Sequence, residues 1–427
     1  MNVVIVSDQE SAGGAAQATC RITESIAYKN GNGWFFHPTE RIVLLADGGF
    51  ASLGRPVHSL WQDESEIARQ LYRLPRKLLP SMFPHPQTAE FAAARLRKKL
   101  AALQPGIINI HNLHAAAPWG WGPQLVEVCL EFAPVVWALH DMWSFTGRCA
   151  YSYDCEKFIT GCDASCPTPH EDPKLAPEKI RAAWEERRTI YARHRDDLVI
   201  VTPSRWLSAQ ARRGLFAGHR IDVIPYGIYD PLNPFLRLPR EDARQQLGIN
   251  PSGPVLLLAA FDLTERRKGA DILPKLWQHI EQRPLTILTM GRGDIKIDDS
   301  LIEVHPLGYI DDNAKKSLAY SAADVLVHPA PVDNFPNTIL EALACGTPTV
   351  AMPVGGVPEI VRPGVSGWLA DAATPEALGR AVDRALHDLS LGKDLRESCR
   401  TLAEKEYSLE LQGRRYFELF KDLQKRR

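Results

Sequence analysis

The stretch Val332-Asp333-Asn334-Phe335-Pro336-Asn337-Thr338-Ile339-Leu340-Glu341-Ala342-Leu343-Ala344-Cys345-Gly346-Thr347-Pro348 holds a turn, a helix and the approach to an apolar strand. Asp333 stands before the turn, and Glu341, eight positions on, stands inside the helix. Asn337-Thr338 sits where that helix should begin, so unsatisfied backbone N–H groups and a positive dipole end face the turn. A helix start can hold a phosphate while flanking acids grip hydroxyl groups. Phosphate and polyol in one pocket describe a sugar nucleotide. Gly346 then ends the helix ahead of Thr347-Pro348 and the next strand.

The alternation continues in both directions. Beyond position 250, apolar runs predict strands at 255–259, 285–290, 302–305, 325–328 and 349–352, with helices at 269–281, 315–321, 338–344 and 375–389. The final stretch, 404–425, reads as a helix with a basic end. The first half opens with a strand at 3–6, the loop Ser11-Ala12-Gly13-Gly14-Ala15-Ala16 and a helix. Strands are expected there at 41–45, 107–110, 134–139 and 198–201, and helices at 89–103 and 177–194. Val223-Ile224-Pro225-Tyr226-Gly227-Ile228, followed by Asp230-Pro231-Leu232-Asn233-Pro234, reads as a strand end and a proline-rich linker. The pattern predicts an α/β protein of two Rossmann-like domains, their parallel sheets facing across a cleft with ligands at the strand C-termini.

Length agrees, because 427 residues exceed one ordinary core. A formal net charge of −1 and 24% charged residues give no global reason to expect nucleic acid. The N-terminus lacks a basic n-region, and no run approaches the roughly 18 apolar residues of a membrane span. A cytoplasmic location is expected, with the eight cysteines reduced or metal-bound rather than disulfide-bonded.

On these residues the chain resembles the retaining nucleotide-sugar glycosyltransferases of the GT-B fold, glycosyltransferase family four, with a likeness to the bacterial exopolysaccharide type. That family's signature is Glu-x7-Glu, where this chain has Asp333-x7-Glu341. The resemblance implies that Glu341 binds the ribose hydroxyls and Asp333 holds the transferred sugar. Asn334, Phe335 and Pro336 line the turn, and Asn337 and Thr338 meet the diphosphate. Asp is one methylene shorter than Glu, so sugar preference departs from the family's pattern before reaction type does.

In Thr264-Glu265-Arg266-Arg267-Lys268-Gly269, Lys268 matches the family's lysine that neutralises the leaving diphosphate. The family's arginine six residues upstream is replaced by Asp262, and Arg266 or Arg267 is the substitute. Gly291, in Met290-Gly291-Arg292-Gly293, and Gly308-Tyr309 are expected at the nucleotide, the latter resembling the base-recognition loop. In the first half, His140 follows an apolar strand and matches a histidine that contacts the sugar or acceptor. Gly13 and Gly14 match the flexible first loop. The implied domains are 1–225 for the acceptor and 226–400 for the donor, with 401–427 crossing back to the first. The implied reaction keeps the anomeric configuration and needs no cofactor, since Lys268, an arginine and helix N–H groups supply the positive charge.

Cys149, Cys155, Cys162 and Cys166 lie in an insertion at 145–170. Four thiolates on a short segment suit a structural zinc, but the tight Cys-x2-Cys pairs are missing, and free thiols or a disulfide fit as well. Arg69, Tyr72, Arg73, Arg76, Lys77, Leu78, Leu79, Met82 and Phe83 mix basic and apolar residues, and Arg95, Arg97, Lys98 and Lys99 add a second basic cluster. These read as solvated helix faces or as a surface for anionic lipid, which suits a glycan or polyprenyl-diphosphate-linked glycan acceptor and a peripheral place at the inner membrane face. Two rival readings are a GT-B enzyme with a soluble acceptor (an epimerase or a sucrose-phosphate-type synthase) and a non-catalytic sugar-nucleotide-binding module.

Overall fold

A computed structural model describes residues 2–8, 14–26, 39–43, 57–60, 88–114, 117, 120–168, 173–230 and 235–426. Contacts divide the chain into one unit of Met1–Ile224 with Gln412–Arg427 and a second of Pro225–Leu411. Gly13 and the basic-apolar run from Arg69 to Phe83 lie outside the described residues.

The first unit is built on β1 (Val3–Val6), β2 (Thr39–Val43), β3 (Val57–Ser59), β4 (Ile107–Ile110), β5 (Val135–Ala138), β6 (Leu198–Thr202) and β7 (Ile221–Val223). They form one sheet in the order β3-β2-β1-β4-β5-β6-β7. The second unit holds β8 (Val255–Asp262), β9 (Leu285–Arg292), β10 (Ile302–Gly308), β11 (Val325–His328), β12 (Thr349–Ala351) and β13 (Gly367–Leu369), in the order β10-β9-β8-β11-β12-β13. Every pairing between described strands is parallel. Each unit is therefore Rossmann-like, with its strand order reversing between β1 and β4 or between β8 and β11. Ligands of such sheets bind beyond the strand C-termini at these reversals.

The strands form where apolar runs can be buried on both faces, as parallel sheets require. Val3–Val6, Val325–His328 and Val255 to Leu258 are buried throughout. The three-residue strands β3 and β13 are not expected from the sequence, because three residues show no period, whereas β7 is the strand whose end was read at Val223-Ile224.

Two expected helices are corrected. The 269–281 helix is instead a 3-10 turn at Arg266–Lys268, a short helix at Leu273–Leu276 and a further 3-10 turn at Trp277–His279. Pro274 lacks the N–H that a helix arriving from Gly269 would need, so it sits in the first turn of a new one. The 404–425 helix is two, Arg396–Glu406 and Leu409–Lys425. Between them the Tyr407 carbonyl accepts from Ile228 and Tyr229 N–H, and Leu409 N–H donates to the Tyr229 carbonyl. These strand-like bonds take groups that a continuous helix would have used.

Candidate functional site

In the second unit the reversal brings β8 and β11 side by side, so the loops that follow them meet. Gly269 closes the 3-10 turn at φ 98°, and a Cβ there would stand 2.7 Å from the Pro329 carbonyl oxygen. Lys268 is thereby held against the segment after β11. Its Nζ donates to Asp333 Oδ2 at 2.7 Å. On the other side, a Cβ on Gly355 would stand 1.8 Å from the Asp333 carbonyl oxygen, which accepts from Gly356 N–H at 3.2 Å. The Gly355-Gly356 pair therefore serves close packing on the acid's backbone.

Asp333 is 5% exposed. Burial pushes its carboxyl up, but Lys268, His328 and Arg267 outweigh that and hold it at about 2. Burial is also the main influence on Lys268 and lowers its ammonium, against the pull of Asp333. The result is a buried ion pair at the switch point: a carboxylate able to accept hydroxyls, and a cation already engaged.

The helix Asn337–Ala344 starts after Pro336, which has φ −66° and no side-chain cap. Asn337 and Thr338 are half-buried at its first turn, where backbone N–H groups remain outside the helical ladder. Glu341, one turn in and 3% exposed, accepts at Oε2 from the Tyr320 hydroxyl at 3.0 Å. Asn334 is buried. The Phe335 ring packs edge-on against Tyr226 and Tyr407, at 5.7 and 5.8 Å, so that side chain serves the core.

Of the two arginines beside Lys268, Arg266 is outermost and pairs with Asp271 at 2.5 Å. Arg267 is less exposed, pairs with Glu265 at 2.8 Å and helps to hold Asp333 low. Arg267 is thus the arginine beside the carboxylate. Asp262 caps its own turn, accepting from Thr264 N–H and Oγ1–H at 2.8 and 2.6 Å. Its register partner on β9 is Arg292, which the sequence reading passed over. The Arg292 guanidinium lies 4.6 Å from the Phe261 ring centre and 5.2 Å from that of Tyr309. Both rings are exposed. Burial, Asp311 and, more weakly, Glu341 push the Tyr309 phenol up, which sets Tyr309 within electrostatic reach of the helix acid.

Gly308 has φ 69° and open space around it. At Gly291 a Cβ would meet the Ala260 carbonyl oxygen at 2.1 Å, so the neighbouring strand requires that glycine.

In the first unit, His140 follows β5 and His111 follows the adjacent β4. Asn109 Nδ2 donates to the Val136 carbonyl at 2.8 Å, which turns its Oδ1 toward His111 Nε2 at 3.1 Å. His111 Nε2 is then the N–H, and its Nδ1 accepts from His140 Nε2 at 3.0 Å. The network assigns the acceptor nitrogen of a neutral His140 to Nδ1. Burial, aided by His114 and Arg41 and opposed by Asp141, pushes His140 down to about 4. Asp141 accepts from His114 at 2.9 Å and from Trp143 N–H at 2.8 Å. Asn109, His111, His114 and Asp141 were not singled out from the sequence. Polar residues crowding the end of an apolar strand, in Asn109-Ile110-His111-Asn112-Leu113-His114, were the available signal. Gly14 is the exposed first residue of the helix Gly14–Ile26.

Cys149, Cys155, Cys162 and Cys166 line one pocket with Arg148 and Phe158. All four are unbonded thiols. Among the described residues no group of three or more His, Cys, Asp or Glu side chains is arranged to hold a metal ion. Burial pushes the Cys149 and Cys162 thiols up to about 12 and about 11, which keeps them protonated. In the second basic cluster, Arg97 is clamped by Glu131 at 2.6 Å. Among the described residues no helix is long and apolar enough to cross a membrane.

Two family models match the chain: "Glycosyltransferase Family 4" over residues 44–230 and "Glycosyl transferases group 1" over residues 253–388. The Escherichia coli K12 protein named "Putative colanic acid biosynthesis glycosyl transferase WcaC" is 26% identical over 268 residues. The match spans 60% of this chain and 62% of that relative. The chain is also similar in fold to sucrose-phosphate synthase of Thermosynechococcus elongatus, with a TM-score of 0.69, 21% identity and coverage of 99% and 98% of the two chains. It is similar to the Anabaena HepE protein in complex with UDP-glucose, with a TM-score of 0.62, 16% identity and coverage of 99% and 100%.

Proposed function

This chain belongs to the family-four glycosyltransferases of the GT-B fold, and from that premise we propose that it moves a sugar from a nucleoside-diphosphate donor to a glycan or lipid-linked glycan, with retention at the anomeric carbon. The observation that carries this reading is the Lys268–Asp333 pair at the β8/β11 reversal, beside the start of the helix that buries Glu341. Glu341 binds the ribose hydroxyls. The first-turn N–H groups at Asn337 and Thr338 receive the diphosphate, where a helix start favours negative charge. Lys268, with Arg267 beside it, neutralises the leaving group, and Asp333 holds a hydroxyl of the transferred sugar. Such a reaction rests on positioned charge more than on a strong base.

Tyr309, Phe261 and Arg292 supply an exposed aromatic and cationic surface for the base. The role of His140 toward sugar or acceptor rests on the resemblance. A relative named for colanic acid biosynthesis supports a polysaccharide acceptor, and a fold neighbour solved with UDP-glucose makes uridine donors the first to try.

The test is a thermal-shift screen of UDP, GDP and ADP followed by donor hydrolysis and transfer. One nucleoside diphosphate should stabilise the wild type, and Glu341→Ala should abolish that shift. Normal nucleotide affinity in Glu341→Ala would sink the site assignment.

A further inference from the structure

His328 is the last residue of β11 and is 4% exposed. Its Nε2 is fully buried and has no hydrogen-bond partner. It stands 3.7 Å from Asp333 Oδ2, the same oxygen that Lys268 Nζ reaches at 2.7 Å. A separation of 3.7 Å is too long for a hydrogen bond, and a buried ring nitrogen left without a partner is costly. Such an orphan beside a charged acceptor marks an arrangement with a second state.

The groups that bear on the imidazole come from two segments: Asp333 after β11, and Lys268 and Arg267 after β8. Burial is the largest influence and lowers its pKa to about 4; Asp333 opposes this, while Lys268 and Arg267 reinforce it. The ring is therefore neutral near pH 7 and offers one N–H without adding a charge.

Lys268 has three N–H donors, and those it turns to a diphosphate are withdrawn from Asp333. Once it turns away, Asp333 becomes a buried carboxylate short of a donor, and a short side-chain rotation brings Oδ2 within reach of His328 Nε2. We propose that His328 is a positioning residue that takes over Asp333 Oδ2 when Lys268 leaves it for the donor's diphosphate, holding the short carboxylate at the transferred sugar. The inference rests on the roles proposed above for Lys268 and Asp333. Because Nε2 is fully buried, His328 acts through Asp333 and does not touch the sugar.

Three variants test this in the full chain. His328→Phe removes the N–H at similar volume, and His328→Gln keeps an amide N–H near the same place. In His328→Phe, kcat for donor turnover should fall at least tenfold while the UDP dissociation constant stays within twofold; His328→Gln should recover most of the lost kcat. Wild-type turnover in His328→Phe, or an equal loss of UDP affinity, overturns the proposal.

A readout that needs no activity comes from Lys268→Met. Imidazole 15N resonances, with His328 assigned by difference from His328→Gln, should show its titration midpoint rising by at least one pH unit when the lysine is gone. An unchanged midpoint overturns the proposal even if no sugar donor is ever found. A rise without any nucleotide binding by the wild type would instead sink the transferase reading and leave the His328–Asp333 coupling standing.

Discussion

Asp333→Asn separates the two tasks assigned to the buried pair. The substitution keeps the size of the side chain and removes its charge, so Lys268 loses the anion that engages it at 2.7 Å. Gross attraction between unit charges at that distance is about 6 kcal/mol at an effective dielectric near 20. Most of this is offset by desolvation, and the lysine side chain is one-fifth exposed, so a net release of about 1 kcal/mol is the working figure. Lys268 is then free to meet a diphosphate, and UDP (or whichever nucleoside diphosphate the screen selects) should bind as tightly as in the wild type or up to about fivefold tighter. Turnover should move the other way. A hydrogen bond to a charged acceptor contributes about 1.5–3 kcal/mol, which is roughly a 10- to 150-fold loss in kcat if Asp333 holds the sugar in the transition state. Calorimetric titration of the nucleotide and donor hydrolysis on the same preparation measure both. UDP affinity weakened more than about threefold would refute the reasoning, because Asp333 would then be helping to bind the nucleotide and not competing for its cation.

Other outcomes follow from the same geometry. Tyr309→Ala should weaken nucleotide binding by about 1–3 kcal/mol if the exposed ring stacks on the base, with little change in the melting temperature. For His328, the folded imidazole titrates near 4 and the ordinary histidine near 6.5, so unfolding takes up a proton between those values. Its contribution is complete above about 6.5 and is lost as pH falls toward 4, amounting to about 3 kcal/mol at 1.36 kcal/mol per pH unit. Melting curves across that range should fall on acidification, and more shallowly in His328→Gln; parallel curves would rule the assignment out. Association with anionic liposomes should appear at low ionic strength and fade with salt, each lysine or arginine at the surface adding about 1 kcal/mol. A protein that ignores such liposomes at low salt would end the membrane reading.

Much of the fold could be read directly. The 89–103 helix agrees with the structure at both ends, since Thr88 caps it and its apolar residues repeat with the helical period. Strands at 3–6, 107–110 and 325–328 also agree, each being an apolar run that a two-sided parallel sheet requires. The helix expected over 269–281 breaks because Pro274 has no N–H to continue it and starts a new helix instead. The single helix over 404–425 failed because its break at Tyr407-Ser408 depends on hydrogen bonds to Ile228 and Tyr229, far away in the chain.

The site divides along the same line. Residue types and spacing determined that Asp333, Glu341 and a helix start stand together, because these lie within one local turn-helix segment. They also determined the alternating strand and helix pattern, because burial on a sheet leaves its period in the chain. Only the tertiary structure decided which cation meets Asp333. Lys268 lies 65 residues away and arrives because β8 and β11 are neighbours in the sheet. The same holds for His111 beside His140, Arg292 opposite Asp262 and the unpartnered nitrogen of His328. Strand order and register set these contacts, and a side chain's partner across a sheet leaves no period in its own segment. The family was therefore legible in a short motif, while the partners that tune its acids were not.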